Sequence, residues 1–296
     1  MNSFCLLADE SGAKGYAGVA EKFPGEAGIF AGLIVPAAAI ADLKKAAKAL
    51  EGRFGNGAKF HITDLQPQAQ DALRTEICNI VQHFGIVCVY EAIYVSGFFV
   101  WFREQKKFLD SLPKVSRSGI KISGNTAEEC LHVWLFQGLL GKAIAWCEDN
   151  YKTDYHLTVL FDNLDKQLLK VFNQSAQELL GDMSSTSKVT GFDPKTNSVV
   201  RGEIKIQAHV SADWRIDSDP KNISLDASGA NQELSIFPDI LSNWLNFLFK
   251  ERNKSELGIP LGRRPALDGF ALQNSIYGFS DGLKVQPIAE TLFRCR

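Results

Sequence analysis

Short apolar runs and helical periodicities alternate along the chain, which predicts a fold built from both strands and helices. Apolar or β-branched runs predict buried strands over residues 4–8, 29–35, 86–95 and 155–161. Strong helix formers or a single apolar face predict helices over residues 37–50, 67–84, 126–150, 164–180 and 235–250. An alternating pattern predicts a half-exposed strand over residues 203–210. Strands followed by alternating strands and helices favour an α/β architecture with a mixed sheet.

The segments between these elements predict turns and loops. Glycines crowd residues 11–28, as in a hairpin, and polar residues dominate 111–125, 181–197 and 211–232. Residues 251–296 show no clear period. The helix over 126–150 has one predicted apolar face, made of Leu131, Trp134, Leu135, Gly138 and Leu139. Gly138 and Gly141 would let another backbone pack closely against it.

Charge limits how this chain could hold a polyanion. Its 32 basic and 34 acidic residues give a net charge of −2, whereas proteins that hold nucleic acid through a global field are usually basic. A phosphate-bearing partner would therefore need metal ions or a local patch. Candidate patches contain Lys106, Lys107, Lys114, Arg117 and Lys121, or Arg263 and Arg264. A third basic group, Lys44, Lys45 and Lys48, is typical of a solvated helix face.

The cysteines predict free thiols in a reducing compartment. The six cysteines contain no C-x-x-C pair and mostly lie among apolar residues, at positions Cys5, Cys78, Cys88, Cys130, Cys147 and Cys295. Asp9 and Glu10 interrupt the N-terminal apolar run, so no signal peptide is expected. No apolar stretch reaches the roughly 18 residues of a membrane span. We therefore expect a cytoplasmic protein without a membrane anchor.

Two apolar strands are each followed directly by an acid, Asp9 and Asp162. Neighbouring strands that end together would bring these carboxylates together, at the edge where open α/β sheets bind ligands. Two such carboxylates repel each other unless a cation or proton lies between them, and Mg²⁺ and Mn²⁺ prefer oxygen ligands. The alternative is that each Asp only forms a turn or caps a helix. Asp239 lies in the first turn of a predicted helix, where the helix dipole alone would explain it.

Four motifs occur in order along the chain: D-E-S-G at 9–12, F-H-I-T-D-L at 60–65, V-L-F-D at 159–162 and L-S-I-F-P-D-I-L at 234–241. Together they resemble the domain-of-unknown-function 3800 family of the ribonuclease-H-like superfamily. The resemblance implies an α/β, ribonuclease-H-like mixed sheet flanked by helices. It implies one domain over residues 1–296, with a core of about residues 4–250 and an extra C-terminal segment over 251–296.

The resemblance also implies a metal site and an activity. By position, Asp9, Asp162 and Asp239 would hold Mg²⁺ or Mn²⁺, with Glu10 and His61 as further catalytic residues. The implied activity is phosphodiester hydrolysis by a metal-dependent nuclease, in a bacterial defence or mobile-element setting. His61 could move a proton or contact phosphate, or it could only anchor a loop.

Three functional hypotheses follow. The first is the metal-dependent nuclease, which the intact motif from Asp9 to Gly12 favours. The second is a catalytically inactive binding or regulatory subunit, acting as a homo-oligomer or with a partner in a defence cassette. The altered motif around Asp239, where Pro238 precedes the acid, favours this alternative. A third and weaker hypothesis is a phosphatase or nucleotide hydrolase that uses the same acids.

Overall fold

The computed structural model describes residues 1–13, 21–55, 57, 60–111, 130–152, 154–162, 166–180, 184–193, 196–207, 223–226, 233–251, 267 and 269–277. Its strands are β1 (Asn2–Gly12), β2 (Ala27–Pro36), β3 (Val87–Tyr94), β4 (Tyr155–Phe161), β5 (Ser184–Asp193), β6 (Ser198–Gln207) and β7 (Ile223–Asp226). Its α-helices are α1 (Ile40–Phe54), α2 (Pro67–His83), α3 (Val95–Ser111), α4 (Cys130–Tyr151), α5 (Lys166–Leu180) and α6 (Ile236–Lys250). Short 3₁₀ turns cover Ala37–Ala39, Ile62–Asp64 and Gln273–Ser275.

Five strands form one mixed sheet in the order β3-β2-β1-β4-β7. Strand β2 runs antiparallel to both β1 and β3, whereas β4 runs parallel to β1 and β7 runs parallel to β4. β5 and β6 form a separate antiparallel pair. The expected α/β fold with a mixed sheet is thus confirmed, and β1 is the central strand.

Helices cover both faces of the sheet. Leu7 and Leu33 lie on the face that packs against α1, α2 and α6, and Leu6 and Phe30 lie on the face that packs against α4 and α5. Every residue of β2 except Pro36 is buried, which explains why its sequence is apolar throughout and does not alternate. Burial of each such large side chain contributes about 1.5–3 kcal/mol to folding.

The predicted apolar face of α4 is correct in part. Leu131, Leu135 and Leu139 are buried, but Trp134 is 45% exposed. A Cβ atom on Gly138 would meet the side chain of Glu91 at 2.5 Å, so this glycine allows a close approach by β3. At Gly141 nothing lies within 4 Å of such an atom, and the expectation of close packing there is wrong. Residues 126–129, which carry the predicted start of this helix, lie outside the described residues.

Three elements correct the expectations from sequence. β5 occupies part of the polar segment 181–197, and β7 occupies part of 211–232, both of which were expected to be loops. Helix α3 follows β3 without a break, although the sequence showed no clear period there. β5 is polar and β7 has only four residues, so pairing with β6 and β4 creates them and their own patterns do not.

The described part of the C-terminal segment is packed into the core. Leu267, Phe270, Leu272 and Ile276 are all buried. Ile276 forms a parallel bridge with Cys88 of β3, and the backbone N–H of Tyr277 donates to the Cys88 carbonyl at 2.8 Å. This segment therefore covers the outer edge of β3, which would otherwise present unpaired backbone groups to solvent.

Cys5, Cys78, Cys88 and Cys147 are free thiols, as predicted. Cys88 and Cys147 are buried, and the other two are half-buried. Among the described helices, none has both the length and the apolar character that crossing a membrane requires.

Candidate functional site

Asp9 and Asp162 lie side by side at the carboxyl end of the central strands. The parallel pairing of β1 with β4 ends with Ala8 opposite Phe161, so each acid is the next residue on its strand. Leu7 and Leu160 share the face beneath α6, and side chains alternate along a strand. Both carboxylates therefore belong to that same face. β1 itself continues to Gly12 along β2, so Asp9 ends the pairing with β4 and not the strand.

Helix α6 brings Asp239 to this position. The helix is apolar along its core side and packs over β1 and β2, with Ile240, Leu241 and Leu245 fully buried. Further along the helix, the Asn246 side-chain amide donates to the Ser11 hydroxyl at 3.1 Å. Asp239 lies in the first turn, as the sequence predicted, and its side chain is 23% exposed.

His61 approaches Asp239 from a different segment. Its residue begins the 3₁₀ turn Ile62–Asp64, where the His61 backbone N–H donates to the Asp64 carboxylate at 3.0 Å. The His61 Nδ1 atom lies 3.4 Å from Asp239 Oδ2, and the imidazole is 60% exposed. Asp64 thus shapes the turn, and His61 contacts the candidate acid.

One cleft gathers four of the five predicted site residues. It has a volume of about 310 Å³ including its open mouth, and it is lined by Asp9, Glu51, Phe60, His61, Asp162, Ser235, Ile236 and Asp239. Four of these side chains are carboxylates, and they come from β1, α1, the end of β4 and α6. The cleft therefore concentrates negative charge beside one histidine.

Glu51 is the lining carboxylate that the sequence did not single out. It lies near the end of α1, among the polar positions of an amphipathic helix, where an acid normally faces solvent. No local signal distinguishes it from other surface glutamates. Packing of α1 against α2 and the sheet turns its side chain towards the cleft.

Glu10 does not line the cleft. Because side chains alternate along β1, it lies on the opposite face from Asp9, on the side of Ala8 and Phe30. The expectation that Glu10 is a neighbour of the metal ligands therefore needs correction. The D-E pair is adjacent in sequence, but its two acids serve different faces of the sheet.

The donor set fits a hard cation. Its ligands would be carboxylate oxygens, with no thiolate in the lining, and this chemistry suits Mg²⁺ or Mn²⁺. As they stand, however, no three His, Cys, Asp or Glu side chains of the described residues are close enough together to hold an ion. The carboxylates repel one another without a cation, so binding an ion would draw them inward.

The predicted basic patches cannot be located at this cleft. Lys114, Arg117, Lys121, Arg263 and Arg264 lie outside the described residues. Lys106 and Lys107 belong to α3, and Lys107 is exposed.

Comparison of this chain with protein-family models, characterised proteins and solved structures finds no match in any of the three.

Proposed function

We propose that this chain is a divalent-metal-dependent nuclease with a ribonuclease-H-like fold, in which Asp9, Asp162 and Asp239 hold Mg²⁺ or Mn²⁺. One observation carries the proposal: these three acids and His61, which are far apart in sequence, line the same cleft. The placement of acids on the first strand, a later strand and the last helix agrees with the resemblance found in the sequence.

Each residue has a distinct role in this proposal. The bound ions would supply an activated water and neutralise charge on the phosphodiester. Asp9 comes from the central strand and lies beside Asp162, which suits it to bridge two ions. Asp239 contacts His61 through Oδ2, and this contact orients the imidazole at the cleft. Because His61 is largely exposed, it can exchange a proton with solvent and with a substrate oxygen.

The proposed setting follows from the same resemblance. We place the protein in the cytoplasm, because its described cysteines are free thiols, which persist in reducing compartments. A nucleic acid would be its substrate, within bacterial defence against mobile DNA.

A catalytically inactive binding or regulatory subunit is the second candidate. The open arrangement of the acids favours it, because no three donors of the described residues are gathered around one point. Such a subunit would keep the cleft as a binding surface without hydrolysing phosphodiesters.

Metal-dependent cleavage separates these two candidates. Fluorescently labelled single- and double-stranded DNA and RNA would be incubated with Mn²⁺ and the wild type, Asp9→Asn or Glu10→Gln. We expect cleavage by the wild type and by Glu10→Gln, whose side chain lies on the other face, and at least a hundredfold loss in Asp9→Asn. Equal cleavage by the wild type and Asp9→Asn would exclude this site. No cleavage of any substrate would favour the inactive subunit.

A further inference from the structure

Two lysines of α1 converge on one glutamate at the rim of the cleft. Lys48 Nζ lies 3.2 Å from Glu233 Oε1, and Lys44 Nζ lies 3.9 Å from Glu233 Oε2. Glu51, three residues after Lys48, lines the cleft, and so does Ser235, two residues after Glu233. Both segments thus lead from this group directly into the cleft. We call Lys44, Lys48 and Glu233 the rim cluster.

The charges of the rim cluster do not balance. Two ammonium groups share one carboxylate, which leaves one positive charge in excess. All three side chains are at least 35% exposed, so the ion pairs are screened by water and contribute little to stability. A phosphate oxygen can therefore replace the Glu233 carboxylate at low cost, because lysine forms charge-assisted hydrogen bonds to both groups.

A polyanionic substrate needs such cations at this cleft. Four carboxylates line it, and the chain as a whole carries a net charge of −2. Electrostatic attraction from the whole protein therefore cannot hold a nucleic-acid strand, and local cations have to do so. Lys44 and Lys48 are one helical turn apart, about 6 Å along the axis of α1, in a row that points to Glu51.

We propose that the rim cluster binds the phosphates of a nucleic-acid strand beside the phosphate that occupies the cleft, and that Glu233 occupies both lysines until the strand displaces it. This inference rests on the proposed function and deepens it, since it makes the substrate a polymer of phosphodiesters and not a small phosphate ester. The basic group that the sequence suggested was only a solvated helix face then becomes the strand-binding site.

Four proteins test this proposal by fluorescence anisotropy, with labelled dodecamers of deoxythymidine and of uridine, at low salt and with EDTA to prevent cleavage. They are the wild type, the double variant Lys44→Gln/Lys48→Gln, Glu233→Gln and Lys45→Gln. Lys45 is the matched control, because it lies on the same helix but pairs with Asp42 at 2.7 Å. The two dodecamers distinguish a DNA strand from an RNA strand.

The expected results differ in sign. The double lysine variant should bind about tenfold more weakly, and its dependence of log affinity on log salt should be shallower by about 1.4, since each lost single-strand contact removes roughly 0.7. Glu233→Gln should bind more tightly than the wild type, because it frees both lysines. Lys45→Gln should bind nearly as the wild type does. This pattern with either dodecamer supports the rim cluster.

Several outcomes would overturn the proposal. These are no measurable binding of either dodecamer by the wild type, an equal loss in Lys45→Gln and the double lysine variant, or weaker binding by Glu233→Gln. If the double lysine variant fails to fold, Glu233→Gln alone still decides by the direction of its effect. Because EDTA removes the metal, a failure here leaves Mn²⁺-dependent cleavage intact as a separate result. The converse outcome, rim binding without any cleavage, would overturn the nuclease alone.

Discussion

His61 Nδ1 lies 3.4 Å from Asp239 Oδ2, although 178 positions separate the two residues in the chain. The contact joins the 3₁₀ turn before α2 to the first turn of α6, and both residues line the cleft. An exposed imidazole beside a partly buried carboxylate is oriented for proton transfer and contributes little to folding.

His61→Ala should therefore lower cleavage about a hundredfold or more, the usual contribution of a positioned acid or base. Stabilisation by Mn²⁺ should remain, because the three candidate ligand acids are intact. His83→Ala is the matched control, since His83 is an exposed histidine at the end of α2 and does not line the cleft. Cleavage rates and Mn²⁺-dependent melts measure both effects. Loss of the Mn²⁺ response in His61→Ala would make His61 a ligand or a structural residue.

Mn²⁺ should stabilise the folded wild type by about 2.7 kcal/mol at a hundredfold excess over its dissociation constant. Asp9→Asn should lose this gain, and its metal-free melting temperature should stay the same or rise, because repulsion among the cleft acids is relieved. Glu10→Gln should keep the full gain, since Glu10 faces the other side of the sheet. Thermal melts with and without Mn²⁺ provide the measurement. An equal Mn²⁺ response in wild type and Asp9→Asn would show that Asp9 is not a ligand.

Glu51→Gln tests the carboxylate that only the tertiary structure brings to the cleft. We expect its affinity for Mn²⁺ to fall about tenfold or more, because ligands and their supporting groups typically contribute that much. Asp42→Asn is the control on the same helix, since Asp42 pairs with Lys45 away from the cleft. Titration of each variant with Mn²⁺, followed by calorimetry, gives the affinities. Equal affinities of Glu51→Gln and Asp42→Asn would leave Glu51 as a wall of the cleft only.

Two glycines of α4 should respond in opposite directions to alanine. At Gly138 a Cβ atom would meet Glu91, whose Oε2 atom lies 3.2 Å from Lys142 Nζ in a nearly buried ion pair. Gly138→Ala should destabilise the protein by about 1–3 kcal/mol, because the crowded side chain has little room to move. Gly141→Ala should stabilise it by about 0.5–1 kcal/mol, since open space surrounds that position and alanine favours the helix. Urea unfolding of both variants checks the signs.

The buried thiols should make the fold sensitive to alkali. Burial raises the pKa of Cys88 and of Cys147 from 9.0 to about 12. The unfolded chain therefore ionises these thiols first, and the stability that they contribute is complete below pH 9 and is lost as the pH rises towards 12. Urea unfolding should show this decline, and it should be smaller in Cys147→Ala. At pH 8, peptide mapping after treatment with a thiol reagent should find both cysteines unmodified in the folded protein, and modification of either would contradict their burial.

The sequence by itself determined the central strands and the acids that follow them. The apolar runs of β1 and β4 require burial, and a polar residue directly after each run marks where the pairing between them stops. Parity along β1 was also in the sequence, since Leu7 and Asp9 must share a face and Glu10 must take the other. The helices α2, α5 and α6 were predictable for the same reason, because local periodicity encodes which side is buried.

Only the tertiary structure decided which polar residues meet. Glu51, Lys44 and Lys48 look alike in the sequence, as ordinary polar positions of α1. Their partners, in the cleft and at Glu233, lie on segments more than a hundred positions away. β7 likewise exists because β4 offers it a pairing edge. Burial leaves a local periodic signal, whereas contacts between distant polar residues depend on how helices pack on the sheet, and no local pattern records that packing.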